Sequence, residues 1–281
     1  MEEKMKNRLF AVLLVLLLGP AFAQAQANGL RITVEERNGE LAIISSQGAV
    51  RDLIIPEIIN GMPVTTIGMG AFTQRGLRNV VIPDSVTVIE EQAFSYNEIT
   101  SLIIGNNVTV IGQKAFFSNK LESLTLGDSV SEIGMSAFAM NFLPEIEIPG
   151  SVSSIGAYAF FMNRLRILSL PGSVITIGEG AFSTNRLHTL VIENGVETIG
   201  DGVFYNNRLT SITLPASVNN LGKKVFESRN TLRSSQPPVD YVTERGEILY
   251  TTANNFDTYY AANGNKPGKY TFTREGWAFE G

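Results

Sequence analysis

Residues 165–186 read LRILSLPGSVITIGEGAFSTNR, and residues 187–208 read LHTLVIENGVETIGDGVFYNNR. Leu, Ile, Val, Gly, Phe and Asn fall at the same places in both, so the pair is one unit written twice. With Leu77 as position 0, the unit begins again at Ile99, Leu121, Leu143, Leu165, Leu187 and Leu209, every 22 residues and without insertion. A strict period of this length is the signature of a solenoid, in which each coil touches only its neighbours. One degenerate 27-residue unit precedes the seven. It matches at Val50, Leu53, Ile55 and Pro56, then at Val64, Ile67, Gly68, Ala71 and Phe72, with extra residues in EIINGMP. Repeats therefore span residues 50–230.

Within each unit, apolar residues at positions 0, 3 and 5 spell the strand-forming front of a leucine-rich repeat. Alternation points positions 3 and 5 inward and positions 2 and 4 outward. Position 9 is Val, position 12 is Ile or Leu, and position 17 is Phe in every copy, including Phe94, Phe116, Phe138, Phe160, Phe182 and Phe204. Stacking turns each recurrence into an internal ladder. Gly at position 13 provides a turn that a Cβ would hinder. A short helical turn, x-x-A-F-x-x, is expected after it, which makes the unit an α/β repeat. Position 20 is Asn in six consecutive copies, Asn97, Asn119, Asn141, Asn163, Asn185 and Asn207. Asn tolerates left-handed geometry and carries both donor and acceptor, so this ladder is expected to satisfy backbone groups where each coil turns back.

The flanks differ in character. Lys4, Lys6 and Arg8 precede the apolar run LFAVLLVLLL, then Gly19-Pro20 and small residues around Ala23 and Ala25, the pattern of a secretory signal peptide over residues 1–25. The apolar run falls short of the roughly 20 residues a spanning helix needs. After cleavage, 19 basic and 25 acidic residues remain, a formal charge of −6. That surface disfavours nucleic acid and anionic lipid overall. The chain has no Cys, which excludes disulfides, thiol catalysis and amino-terminal cysteine acylation. Residues 26–49 alternate on either side of Asn38-Gly39, a hairpin signal suited to capping the stack. Residues 231–281 hold SSQPP as a linker, a short helix over 255–263, and YTFTREGWAF as a hairpin. Their aromatic density suits a carboxy-terminal cap, or a platform for sugars.

The segments IPDSVTVIEEQAF, IPGSVSSIGAYAF and LPGSVITIGEGAF, with the opening IPEIINGMPVTTIGMGAF, resemble the BspA-like, treponemal-type leucine-rich repeats of bacterial surface and secreted proteins. The resemblance covers residues 50–230. It implies a right-handed solenoid with a parallel sheet on one side, and a role in adhesion or protein binding. Many family members use a 23-residue unit with Cys where this chain has Asn. The matching residues are structural, so no catalytic role is carried over.

Chemistry is sparse. Gly68-Met69-Gly70 and Gly178-Glu179-Gly180 sit at repeat positions 13 and 15 and lack the third Gly of a nucleotide loop. His188 is the only histidine, so neither a zinc site nor a Ser-His-Asp triad can be assembled. No cofactor or metal is expected. Glu145 and Glu147 fall at outward positions 2 and 4, a spacing open to a glycosidase pair, a calcium site or plain solvated glutamates. Two surface rows invite partners. Ile54, Val81 and Ile103 align at outward position 4, as a docking patch or as ordinary β-branched strand residues. Arg164, Arg186 and Arg208 align at position 21, beside Arg166 and His188 at position 1. Such a stack calls for compensating acids, with Glu179, Glu193 and Glu197 as candidates, or for an acidic or sulfated partner. The sequence thus predicts an exported, non-enzymatic repeat protein, periplasmic, surface-bound or secreted. It would bind host or matrix proteins, with an envelope scaffold or a carbohydrate-binding role as alternatives.

Overall fold

The computed structural model winds the repeats into a β-solenoid of eight coils. The structure describes residues 29–209 and 214–226 in full, and the backbone of strands Leu16–Leu18, Phe22–Ala27, Ser211–Leu214, Val239–Thr243, Gly246–Tyr250, Tyr270–Thr273 and Gly276–Phe279. The short helix expected over 255–263 and the SSQPP linker lie outside the described residues.

Hydrogen bonds join neighbouring coils on three sides. On the first, two residues at positions 11 and 12 of each coil form an in-register parallel ladder. It runs from Thr66-Ile67 through Val88–Ile89, Val110–Ile111, Glu132–Ile133, Ser154–Ile155, Thr176–Ile177 and Thr198–Ile199 to Asn220–Leu221. The inner residue of each pair from Ile67 to Ile199 is buried. This ladder, and not the leucine-rich front, is the unbroken sheet of the molecule.

The second side is where the sequence predicts a helical turn, and the structure corrects that expectation. Among the described residues there is no α-helix, so the described coils are built of strands and turns, without the helix on which the α/β label of the repeat rests. Positions 15 and 19 adopt left-handed φ in coil after coil, as in Lys114 and Ser118 at 54° and Ser136 and Met140 at 55° and 58°. Every second amide of this segment then reaches the next coil, while Ala115 N and Phe117 N bond within the turn to Gly112 O and Lys114 O. Lys114 N donates to Met135 O at 2.8 Å, Phe116 N to Ala137 O at 2.8 Å and Ser118 N to Ala139 O at 3.0 Å. A helix would use these amides on carbonyls within its own turn. A left-handed residue costs about 1–2 kcal/mol, which the bond to the next coil offsets.

The third side is the predicted front sheet, and it is broken. Asp52–Ile54, Asn79–Ile82, Ser101–Ile104 and Ser123–Thr125 pair in parallel, and so do Ile167–Leu170 and Thr189–Ile192. Residues 145–148, between them, join neither sheet. Pro144 removes one of the bonds that join coils at this point. At this position Thr100, Glu122, Arg166 and His188 each donate an amide to the preceding coil, and proline has none to give.

The interior holds the ladders the repeat implies. Phe72, Phe94, Phe116, Phe138, Phe160, Phe182, Phe204 and Phe226 stack with ring centroids 5.0–5.9 Å apart. Beside them each Asn of position 20 closes its own coil and joins it to the one before. Asn119 Oδ1 accepts from Ile99 N at 3.1 Å, while Nδ2 donates to Phe116 O at 3.2 Å and Phe94 O at 3.0 Å. Where position 13 is glycine it allows a close coil-to-coil approach, since a Cβ on Gly178 would stand 2.4 Å from Ala157 N. Its φ is not in the left-handed range, so the turn rationale gives way to close approach.

At the amino-terminal end, Leu30–Arg37 and Glu40–Gln47 form an antiparallel hairpin about Asn38 and Gly39, at φ 56° and 84°. Glu40–Gln47 continues in parallel onto Met62–Ile67, and Leu30, Ile32, Val34, Leu41 and Ile43 are buried. Glu90, which replaces the usual Gly, accepts from Met69 N at 2.9 Å and pairs with Arg37 at 3.1 Å. Phe22–Ala27 pairs with the outer side of Leu30–Arg37, and Leu16–Leu18 with Phe22–Ala27. At the other end Ser211–Leu214 pairs with Val239–Thr243, which opens a hairpin with Gly246–Tyr250. Tyr270–Thr273 pairs with Gly276–Phe279 in the register Phe272 to Trp277.

Candidate binding surfaces

The edge between positions 21 and 1 runs along the solenoid axis where each coil enters its front strand. Its first half is internally neutralised. Glu98 lies 3.9 Å from Arg78 in its own coil and 3.0 Å from Lys120 in the next. The hydrogen bond from Lys120 holds the Glu98 carboxyl below its ordinary range, with Coulombic help from Lys120, Arg78 and Arg51.

The second half is not neutralised. Phe142 and Pro144 interrupt the row, and beyond them stand Arg164 and Arg166, Arg186 and His188, then Arg208. All four arginines are exposed. Among the described residues no carboxylate lies within 4.0 Å of any of them. The acids the sequence offered as compensation are engaged elsewhere or apart. Glu179 accepts from the Tyr158 hydroxyl, Glu193 accepts from Gly172 N at 3.0 Å, and among the described residues Glu197 forms no ion pair. The guanidinium of Arg164 sits over the Phe142 ring, 4.1 Å from its centroid.

Two shallow depressions follow this edge. One, of about 410 Å³, is lined by Glu122, Phe142, Pro144, Arg164, Arg166 and Arg186. The other, of about 330 Å³, brings Arg164, Arg186 and Arg208 together with Phe142, Met162 and Thr184. The structure thus places all four predicted arginines along one edge, with Arg164 and Arg186 lining both depressions. Composition missed the apolar rim, in which Met140, Phe142 and Met162 are exposed side by side. Their positions, 19 and 21, are legible only once the turn geometry is known.

The second predicted row also forms. Ile54 pairs in register with Val81, and Val81 with Ile103, and Ile103 is 40% exposed. Beyond the break a further apolar surface appears at Ile167 and Val191, 55% and 49% exposed. Glu145 and Glu147 are exposed on the segment that is not a strand, so the fixed two-residue strand spacing assumed for a glycosidase pair does not apply to them. His188 is exposed, with Nδ1 at 3.1 Å from Thr189 Oγ1. Among the described residues no group of three His, Asp or Glu is placed to hold a metal ion. Within the same residues no helix is long and apolar enough to cross a membrane.

An axial stack of short-strand coils with a leucine-rich front, an Asn corner and a Phe ladder defines a leucine-rich-repeat solenoid. The sequence profile of the BspA type leucine rich repeat region matches residues 51–162 and 109–233, and the chain belongs to that family. Among solved structures, a leucine-rich repeat protein of Treponema pallidum is similar at 22% identity and a TM-score of 0.58, over 72% of this chain and 88% of that one. A leucine-rich cell surface protein of Faecalibacterium prausnitzii is 20% identical with a TM-score of 0.43, over 74% of this chain and 72% of that one. These likenesses concern the fold. No curated protein sequence matches the chain.

Proposed function

We propose that this protein is exported and acts as a non-enzymatic interaction protein whose solenoid surface binds host or matrix proteins. One observation carries the reading: the residues that recur in every coil are interior, whereas the exposed positions change from coil to coil. Outward position 4 runs Ile54, Val81, Ile103, Thr125, Glu147, Ser169 and Val191. Such a frame fixes the shape and leaves the surface free to specify a partner.

Export rests on the basic, apolar and small-residue order of residues 1–25. Cleavage at Ala25 removes most of strand Phe22–Ala27 and makes Leu30–Arg37 the sheet edge. That strand carries Arg31, Glu35, Glu36 and Arg37, charges of the kind that keep a free edge from pairing with other chains. The hairpin then acts as the amino-terminal cap.

The test is binding of the purified exported protein, at physiological salt, to immobilised fibronectin, fibrinogen and other matrix proteins. Saturable binding is expected. A folded protein that binds none of them, and that fractionates to the periplasm, contradicts adhesion and leaves an envelope-scaffold role.

A further inference from the structure

We propose that the edge formed by Arg164, Arg166, Arg186 and Arg208 is a binding site for a linear sulfated glycan. Three features converge on it. The first is contrast along one row: the acidic and basic side chains of coils 77–98 and 99–120 neutralise each other through Glu98. The arginines beyond Pro144 have no such carboxylate among the described residues. Like charges stacked at coil spacing repel, so a folded chain that keeps them aligned gains from a bridging anion.

The second feature is posture. Arg164 rests on the face of Phe142, which leaves the in-plane N–H donors of the guanidinium for a ligand. An arginine held this way loses less freedom on binding than a freely moving one. The third is shape. Two adjoining depressions share Phe142, Arg164 and Arg186, and the lining of the second includes Thr184 and Met162, so the edge offers an extended surface that suits a chain rather than a single ion.

Spacing selects the polymer. The rings behind the arginines, Phe160, Phe182 and Phe204, stand 5.2 and 5.9 Å apart. Same-face side chains of an extended acidic peptide recur every ~6.8 Å and drift out of step over three coils. A glycan carries sulfates at several ring positions and can meet a shorter repeat. Single-stranded nucleic acid needs several exposed aromatic faces for its bases, whereas Phe142 is the one ring lining the two depressions and Arg164 covers one of its faces. Glu122, which lines the groove with Arg164, Arg166 and Arg186, opposes the anion and marks the end of the site.

Heparin serves as the probe, in affinity retention and in solution titration with the full chain. Saturable binding that weakens as salt rises is expected. The triple change Arg164→Ala, Arg186→Ala, Arg208→Ala should weaken it at least tenfold. The corresponding Lys triple should fall between that and the parent, because it keeps the charge but loses the fork. Glu122→Gln should tighten binding severalfold. Arg31→Ala, Arg51→Ala, Arg78→Ala removes the same charge elsewhere and should leave binding within twofold. Equal losses from both Ala triples overturn the proposal, as does a folded parent that fails to bind at physiological salt. Tighter binding of an acidic peptide or a single-stranded oligonucleotide than of heparin also overturns it. Matrix-protein binding that survives the arginine changes leaves the wider interaction role intact, so the two readings fail separately.

Discussion

Asn141 donates from Nδ2 to the carbonyl oxygen of Phe116, 25 residues earlier and one coil away, at 3.0 Å. The same side chain donates to Phe138 O at 3.1 Å and accepts from Leu121 N at 3.0 Å. Phe116 O keeps a second donor in Asn119, so the group left alone by truncation is the buried Leu121 amide. Asn141→Ala should therefore cost about 2–3 kcal/mol, the range of one orphaned buried donor with some lost packing. Asn141→Asp should cost at least as much, since a carboxylate cannot donate to two carbonyls. Chemical denaturation of both variants measures this, and unchanged midpoints would show that the corner is not held by the side chain.

Phe160 stacks on Phe138 at 5.4 Å and on Phe182 at 5.2 Å, with no exposure. Phe160→Ala opens a cavity in the middle of the ladder and should cost about 3–5 kcal/mol. For a chain of this size the unfolding temperature should drop by roughly 10 °C. A shift near zero contradicts an inward ladder.

Two glycines give a matched comparison. A Cβ on Gly178 would lie 2.4 Å from Ala157 N, whereas one on Gly150 would meet nothing within 4 Å. Gly178→Ala should lose about 1–3 kcal/mol through forced separation of two coils, and Gly150→Ala should be neutral or slightly stabilising. Thermal unfolding of the pair decides it.

Tyr158 donates its hydroxyl to Glu179, and that bond, with a smaller contribution from desolvation, raises the phenol above its usual range. A raised value means that the stabilisation is complete below the unfolded-chain value of about 10 and is lost as pH climbs through the folded value. The difference absorbance titration of parent against Tyr158→Phe should show a midpoint above that of free tyrosine. Glu179→Gln should bring it back down. A midpoint at the ordinary value in the parent contradicts the contact.

Much of this architecture is legible before any coordinates. Period, interior ladders and the Asn-Gly hairpin follow from apolar spacing and from turn residues whose chemistry is local. The absence of a helical turn is not legible, because Ala-Phe flanked by polar residues suits a helix as well as it suits a turn with left-handed residues at positions 15 and 19. What decides between them is the neighbouring coil, whose carbonyls take the amides of Lys114, Phe116 and Ser118. The break at residues 145–148 is legible in hindsight at Pro144, since a proline at position 1 removes a bond that the other coils make there. Amides of 145–148 should accordingly exchange faster than those of 167–170. For the surface, the arginine row is legible as spacing, but its lack of acids and its contact with Phe142 are not. Those depend on side-chain reach across coils.

If recurring residues hold the frame while variable outward residues meet the partner, binding and stability separate when outward residues alone are changed. Binding to an immobilised matrix protein retained by the parent, and thermal unfolding, would be recorded for the parent and for Val81→Ser, Ile103→Ser. The expected result is an unfolding temperature changed by no more than about 4 °C, the shift for a ~1 kcal/mol loss, with binding weakened at least tenfold. Binding that survives in the folded variant, and likewise in Ile167→Ser, Val191→Ser, would contradict the claim that the outward rows are where the partner is met.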